Sequence, residues 1–422
     1  MRIAVTDATL ITRDHDEVIP RGTIVIEGDR ILAVGPQATT SLDGVDRVID
    51  GSGATALPGL INAHDHIARK QLRTAEPGVR YKDQSDRLMR EPHEMLALHT
   101  ARNLHDHVRS GVTTVRDFGL PGATALQAHR AVASGLIPGP QVITGGDPIA
   151  ISGGHATNWG ALEADGPQEV VRAVRRAIHG GAQVLKFMAS GGLGTYPEED
   201  PGIPELTREE LTAGIAAAHQ FGRPTAAHAY STESIHNVIA AGVDTVEHGA
   251  FLDEEAAALM AERRIAHVPT VSGLIAIAYN LQVIGQAELG QRILDEVISR
   301  LQASVALSAQ HGVRIATGSD TSGEVVEELE LIAQAAGWDP ERALGAATDV
   351  AADVLGVDAG RLRPGLRADV LLVEGDPRES LDVLRSPRSV IARGEAFAAE
   401  PASLGVRLRV LRGIEQLPAA QP

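Results

Sequence analysis

The stretch SGVTTVRDFG at Ser110–Gly119 returns further along the chain as AGVDTVEHG at Ala241–Gly249. In both copies a small residue and a glycine lead into a β-branched apolar run, which ends on charged or imidazole side chains. Working outward from this echo, similar runs occur at Ala56–Ile61, Val112–Val115, Pro140–Thr144, Ala182–Phe187, Pro224–Ala227, Val243–Val246, Ala266–Val271 and Val313–Thr317. Helical patterns lie between many of them. Gln168–His179 places Val171, Val174 and Ile178 on one face before Gly180-Gly181, and Thr207 with Glu210 forms a capping-box pattern. Eight β-then-α units predict an α/β fold of the (β/α)8 TIM-barrel type, with its chemistry at the C-terminal ends of the strands. A doubly wound open sheet shares the rhythm, but no dinucleotide-type glycine fingerprint follows the first runs.

The two ends of the chain read differently. Arg2–Thr12, Gly22–Gly35 and Asp46–Asp50 near the start, and Ala368–Val373 and Ser389–Ala392 near the end, are short strand patterns separated by turns. They predict a small β-sandwich domain built from residues 1–56 and 366–422, flanking a catalytic barrel over 57–365. The bulk composition agrees with two folded domains: 43% of the 422 residues are hydrophobic and 22% charged. A net charge of −17 disfavours a general nucleic-acid or anionic-membrane surface. Charges are scattered through Met1–Pro20, where a signal peptide needs an apolar stretch, and no uninterrupted apolar run is long enough to span a bilayer. The expectation is a cytoplasmic homo-oligomer acting on a small-molecule or dipeptide substrate.

The residues that end the runs carry the chemistry. Run one ends in His64-Asp65-His66, run four in Lys186, run five in His228, run six in His248 and run eight in Asp320. Alternate residues of a strand share a face, so both histidines of His-x-His can point to one metal. A lone histidine among the 16 present is more often a surface or hydrogen-bonded residue. Four histidines, an aspartate and a lysine, at the ends of five barrel runs, share a rim and with it a purpose. Cysteine is absent, so metal ligands must come from histidine, carboxylates or other oxygen donors.

Lys186 is the most informative of these residues. Only Lys70, Lys82 and Lys186 are lysines among the 38 Lys and Arg residues. Its neighbours Val184, Leu185, Phe187 and Met188 give it an apolar setting, which lowers an amine pKa and leaves a neutral nucleophile. Such an amine adds CO2 to give a carbamate with two oxygens, one for each of two metals; a guanidinium cannot. The plainer alternative is a buried lysine paired with a carboxylate such as Asp320.

With LPGLINAHDH, SGVTTVRDFG, VLKFMASGG, AAHAY, VEHG, TGSDT and PGLRADVLLVEGDP assembled, the chain resembles the amidohydrolase superfamily over nearly its whole length. RLMREP at Arg87–Pro92, Gly153-Gly154-His155 and His228-Ala229-Tyr230 look like its branch of metal-dependent peptidases and N-acyl amino acid hydrolases. That branch includes prolidase-like and arginine-releasing carboxypeptidases and hydrolases of ochratoxin. The resemblance implies one divalent metal, zinc by preference, on His64, His66, carboxylated Lys186 and Asp320, and a second on Lys186, His228 and His248. It implies that Asp320 moves a proton from water to the leaving amine, and that His155 and Tyr230 contact substrate. Asp117, which matches His248 in the echo, reads as a hydrogen-bond partner and not a ligand.

Two departures and three rivals accompany this reading. LGTYPEEDPG at Leu193–Gly202 is acidic and would oppose an acidic substrate if it faced inward; GSDTSG replaces a more usual Gly-Thr-Asp-Ala-Gly form beside Asp320. A mononuclear deaminase of the same superfamily tends to carry a glutamate three residues after the strand-five histidine, where this chain has Ser231. Lactone, ester or phosphotriester hydrolysis, or opening of a cyclic amide, needs the same metals and a different pocket. A metal-free scaffold should have lost ligands, and this chain retains all six.

Overall fold

The computed structural model describes residues 1–14, 18–68, 91–119, 124–193 and 200–413, with Asp83, Arg87 and Gln416. Leu88, Met89 and Arg90 of RLMREP, and Glu198 and Glu199 of the acidic segment, lie outside the described residues.

Five strands open the chain: β1 (Arg2–Ile11), β2 (Val18–Glu27), β3 (Arg30–Pro36), β4 (Arg47–Asp50) and β5 (Ala54–Pro58). The central strands are β6 (Leu60–Asp65), β7 (Val112–Asp117), β8 (Gln141–Thr144), β9 (Ile149–Ala150), β10 (Leu162–Glu163), β11 (Leu185–Met188), β12 (Thr225–Ala229), β13 (Thr245–His248) and β14 (Ala266–Val268). Near the end follow β15 (Val370–Glu374), β16 (Pro387–Ala392) and β17 (Glu395–Phe397). Both chain ends meet in one sheet of order β17-β16-β15-β5-β1-β2-β3, with β4 also on β1. These eight strands are joined in a single hydrogen-bonded sheet, where sequence patterning suggested two facing ones. Its apolar face is buried around Ile3, Val5, Leu10, Ile24, Val370 and Leu372.

The first apolar run of the sequence is two strands. Pro58-Gly59 breaks it, so β5 pairs antiparallel with β15 while β6 begins the central α/β region. Gly59 is required there, because a Cβ would lie 2.3 Å from Thr113 Oγ1.

In the centre, β6-β7-β8 form one parallel sheet and β10-β9-β11-β12-β13-β14 another. The amide of Gln183 donates to Thr144 O at 2.8 Å, linking β8 to the segment entering β11. Run eight forms no ladder; Ile315 and Asp320 make isolated parallel bridges to His267 and Asp65. The sheets and bridges thus follow barrel order without the continuous closed eight-stranded ladder that the sequence rhythm predicts. Just past the run, Asp320 has φ 50° and leaves the extended conformation.

Period-two alternation sorts side chains between the interior and the helices. On β11, Leu185 and Phe187 join the core packed on the helices Pro167–Gly180 and Arg208–Gln220, while Lys186 and Met188 line the inside. The first of those helices buries Val170, Ala173 and Val174, one step round from the face read off the sequence. The second begins with the expected capping box, Thr207 and Glu210. Among the described residues no helix is long and apolar enough to cross a membrane.

Candidate metal centre

His64 occupies β6 and His66 follows its end, so the strand presents both rings toward one space. The Nδ1 of His64 lies 2.7 Å from Glu247 Oε2. A carboxylate only accepts, so Nδ1 carries the hydrogen and Nε2 the lone pair. That Nε2 is buried with no hydrogen-bond partner. Such an orphan costs on the order of 1–3 kcal/mol unless something binds it. The Nδ1 of His66 meets Gly119 O at 3.0 Å, and its Nε2 lies 3.6 Å from Asp320 Oδ1. Asp320 is held by its own amide, which donates to His64 O at 2.9 Å. Ligand atoms of His64, His66 and Asp320 all fall within 4.8 Å of one another, a grouping that can hold a metal ion.

His228 and His248 complete a ring of imidazoles. His228 Nε2 donates to Gly191 O at 3.1 Å, which leaves the lone pair on Nδ1; His248 Nδ1 sits 2.7 Å from Thr270 Oγ1. Ring centroids are 4.6 Å apart for His228 and His248, and 5.1 Å for His64 and His248. Burial, reinforced by Lys186 and by neighbouring histidines, holds His64, His228 and His248 well below the usual histidine range. They are therefore neutral at pH 7 and available as metal donors.

Lys186 stands between these groups, 1% exposed, with Nζ 4.2 Å from the centre of the Phe118 ring. Its Nζ makes no hydrogen bond, so the simple ion pair with Asp320 is not formed. Burial pushes the amine down to about 8, against the opposing pull of Glu247 and Asp320.

His155 and Tyr230 reach the same cavity. The ring of His155 lies 4.3 Å from that of His228, and Tyr230 stacks on His248 at 4.9 Å. Gly192 makes room for His155, since a Cβ there would lie 2.1 Å from its Cε1. The backbone N of His155 donates to Glu205 Oε2 at 2.8 Å. Asp117 acts through the backbone: its carboxylate accepts from the amides of Ile67 and Gly119, each at 2.9 Å, and so fixes the carbonyl that meets His66. Burial pushes Asp117 up to about 7 despite these bonds.

All eight residues expected from the sequence as metal ligands or substrate contacts line one cavity. Sequence reasoning missed Glu247, Arg116, Thr270 and Gly192, which hold or seat them. For Glu247 a signal existed, since it and Arg116 occupy the same place in the two echoed stretches.

Neutral imidazoles, a carboxylate and a depressed amine above the ends of parallel strands define a metal-dependent hydrolase. The chain belongs to the amidohydrolase family, whose model matches residues 55–396. It is 29% identical to the ochratoxinase of Aspergillus niger, over 92% of this chain and 85% of that protein. It superposes on a putative prolidase from Bifidobacterium longum with a TM-score of 0.83 at 29% identity, covering 98% of each chain. A Xaa-Pro dipeptidase with bound methionine in its active site gives a TM-score of 0.82 at 28% identity, over 94% of this chain and 100% of that one. The protein is a metal-dependent hydrolase acting on amide bonds.

Proposed function

We propose that this chain hydrolyses the amide bond of a small substrate bearing an apolar group, a dipeptide or an N-acyl amino acid, at a binuclear centre. The observation that carries the reading is the pairing of two buried orphans, His64 Nε2 and Lys186 Nζ, beside Asp320 in one cavity. The neutral Lys186 amine would add to the carbon of CO2 and lose a proton to water, giving a carbamate able to serve as a ligand. His64, His66 and Asp320 would hold one metal with it, and His228 and His248 the other. Zinc suits this donor set. The parallel strands are read as a (β/α)8 barrel over residues 57–365, beside a small β domain from 1–56 and 366–422.

When bound, the two metals supply a Lewis acid for the scissile carbonyl and an acidified water at neutral pH. Asp320 takes the proton of the attacking water and returns it to the leaving amine, which must depart as a neutral molecule. Tyr230 keeps its proton, because burial raises its hydroxyl well above the usual range, so it donates to the carbonyl oxygen or to a substrate carboxylate. His155, in the same lining, would do the same. Trp159, Met188, Leu193, Leu274 and Ile277 line the remaining wall and favour an apolar side group. A fully buried apolar side chain gains about 1.5–3 kcal/mol, roughly 10- to 100-fold in specificity.

The test is a panel of Xaa-Pro, Xaa-Arg and hydrophobic dipeptides with N-acyl amino acids, alongside lactones and heterocyclic amides, assayed with metal-loaded protein. Apolar amides should lead arginine-containing ones by at least about tenfold. Cleavage of lactones alone, or release of ammonia alone, would end the peptidase reading. A deaminase is disfavoured because Ser231, three residues past His228, carries no carboxyl and caps the helix Thr232–Ala241. Tyr230→Phe should lower kcat/KM for carboxylate-bearing substrates by about 10- to 100-fold. Unchanged values would remove Tyr230 from the site.

A further inference from the structure

We infer that Glu247 and Arg116 form a positioning pair beneath the metal centre, in which Glu247 locks the tautomer of His64 and Arg116 holds Glu247 in place. The inference rests on the metal-centre reading and goes beyond it, because neither residue is among the proposed ligands.

The pair spans the interior between strands that are not neighbours. Glu247 lies on β13 and Arg116 on β7, which belong to different sheets. Both are buried, with exposures of 0% and 3%. Glu247 Oε2 meets His64 Nδ1 at 2.7 Å, and Oε1 accepts from Arg116 Nη2 at 2.9 Å and from the hydroxyl of Thr245. Arg116 is engaged as fully: Nε donates to Ala63 O at 2.6 Å, and Nη1 to Thr245 Oγ1 at 3.2 Å. One guanidinium thus fixes both the backbone preceding His64 and the carboxylate that orients its ring.

The cost of this arrangement argues for a purpose other than stability. A buried ion pair is commonly matched or exceeded by an apolar pair of similar volume, because both charges must be desolvated. Its return here is geometric. Only an acceptor at Nδ1 places the lone pair of His64 on Nε2, and a carboxylate held by a fixed cation cannot turn to offer anything else. The equivalent places of Arg116 and Glu247 in the echoed stretches show how the fold supplies the pair. Two similar strand ends project the same position inward, and opposite charges there meet across the interior.

The experiment measures zinc affinity by competition with a chelator, and the melting temperature of metal-free protein. In Glu247→Gln the new amide must turn its NH2 toward either Arg116 or His64, so zinc affinity should fall by about 10- to 100-fold. The double variant Arg116→Met with Glu247→Leu removes both charges and the acceptor. Its metal-free melting temperature should equal or exceed that of the parent, while zinc affinity stays at least tenfold lower. Substitution with cobalt(II) should give the double variant an altered visible absorption spectrum, a change that a merely structural role would not produce. Parental zinc affinity and cobalt spectrum in a folded double variant would overturn the inference. So would undiminished affinity in Glu247→Gln. Failure of the parent itself to bind zinc would instead remove the metal-centre reading, a distinct outcome.

Discussion

Replacing Lys186 with arginine is expected to leave fewer than two metals per chain and to cut amide hydrolysis by about 10³-fold or more. Arginine keeps a positive charge but cannot lose a proton under working conditions, so it cannot add CO2. Lys186 Nζ makes no hydrogen bond in the site, so arginine inherits no existing pairing there. Lys186→Met is the companion variant, because it removes the amine without burying a cation. Metal analysis and kcat/KM for both decide the matter, and two metals with parental turnover in Lys186→Arg would refute the carbamate. The pH dependence of loading gives a further handle. With its pKa at about 8, roughly a tenth of the Lys186 amine is neutral at pH 7, compared with about 0.03% for an ordinary lysine. At fixed dissolved CO2, reloading of metal-free protein should therefore accelerate about tenfold from pH 6 to 7 and flatten above 8. The sign follows from the proton: raising pH removes it, and only the neutral amine reacts. By linkage, the depressed value also makes the metal-free fold more stable as pH rises from about 8 toward the unfolded lysine value.

Asp320→Asn is expected to lower kcat by about 10²- to 10⁴-fold, the usual worth of a placed acid–base group, with a smaller effect on KM. The amide keeps the size of the side chain and an oxygen toward the metal, but cannot carry a proton from water to the leaving amine. Its backbone anchor to His64 O does not involve the side chain, so the loop should survive the change. Metal content must be measured on the same sample. A fully loaded variant within about tenfold of parental kcat would show that another group moves the proton.

Much of the fold was legible because both kinds of element leave a period in the sequence. Strand-end histidines were readable for the same reason: His64 and His66 stand two apart, and Lys186 alternates with the outward-facing Leu185 and Phe187. Glu247 was not readable by that rule. It is adjacent to His248, and neighbours on a strand face opposite ways, yet both reach the interior. The contradiction is resolved by His248, whose φ of 67° ends the extended conformation and turns its ring back toward the site. Asp320 likewise leaves the extended conformation, beyond an eighth run that bridges its neighbours in place of pairing along a ladder. What sequence periodicity missed are the places where the backbone leaves the regular structure to build the site.

His248, Thr270 and Asp320, with φ of 67°, 55° and 50°, share a backbone conformation that disfavours side chains by roughly 1–2 kcal/mol each. The cost falls on the metal-free chain, which also buries neutral histidines and an amine with no partner. A laboratory evolution campaign that ranked variants by the melting temperature of stripped protein would thus reward His248→Gly, Thr270→Asn or Asp320→Gly, and breed out the activity. Ranking the same library with zinc present should invert the order, so the choice of screening buffer decides whether the enzyme survives its own stabilisation.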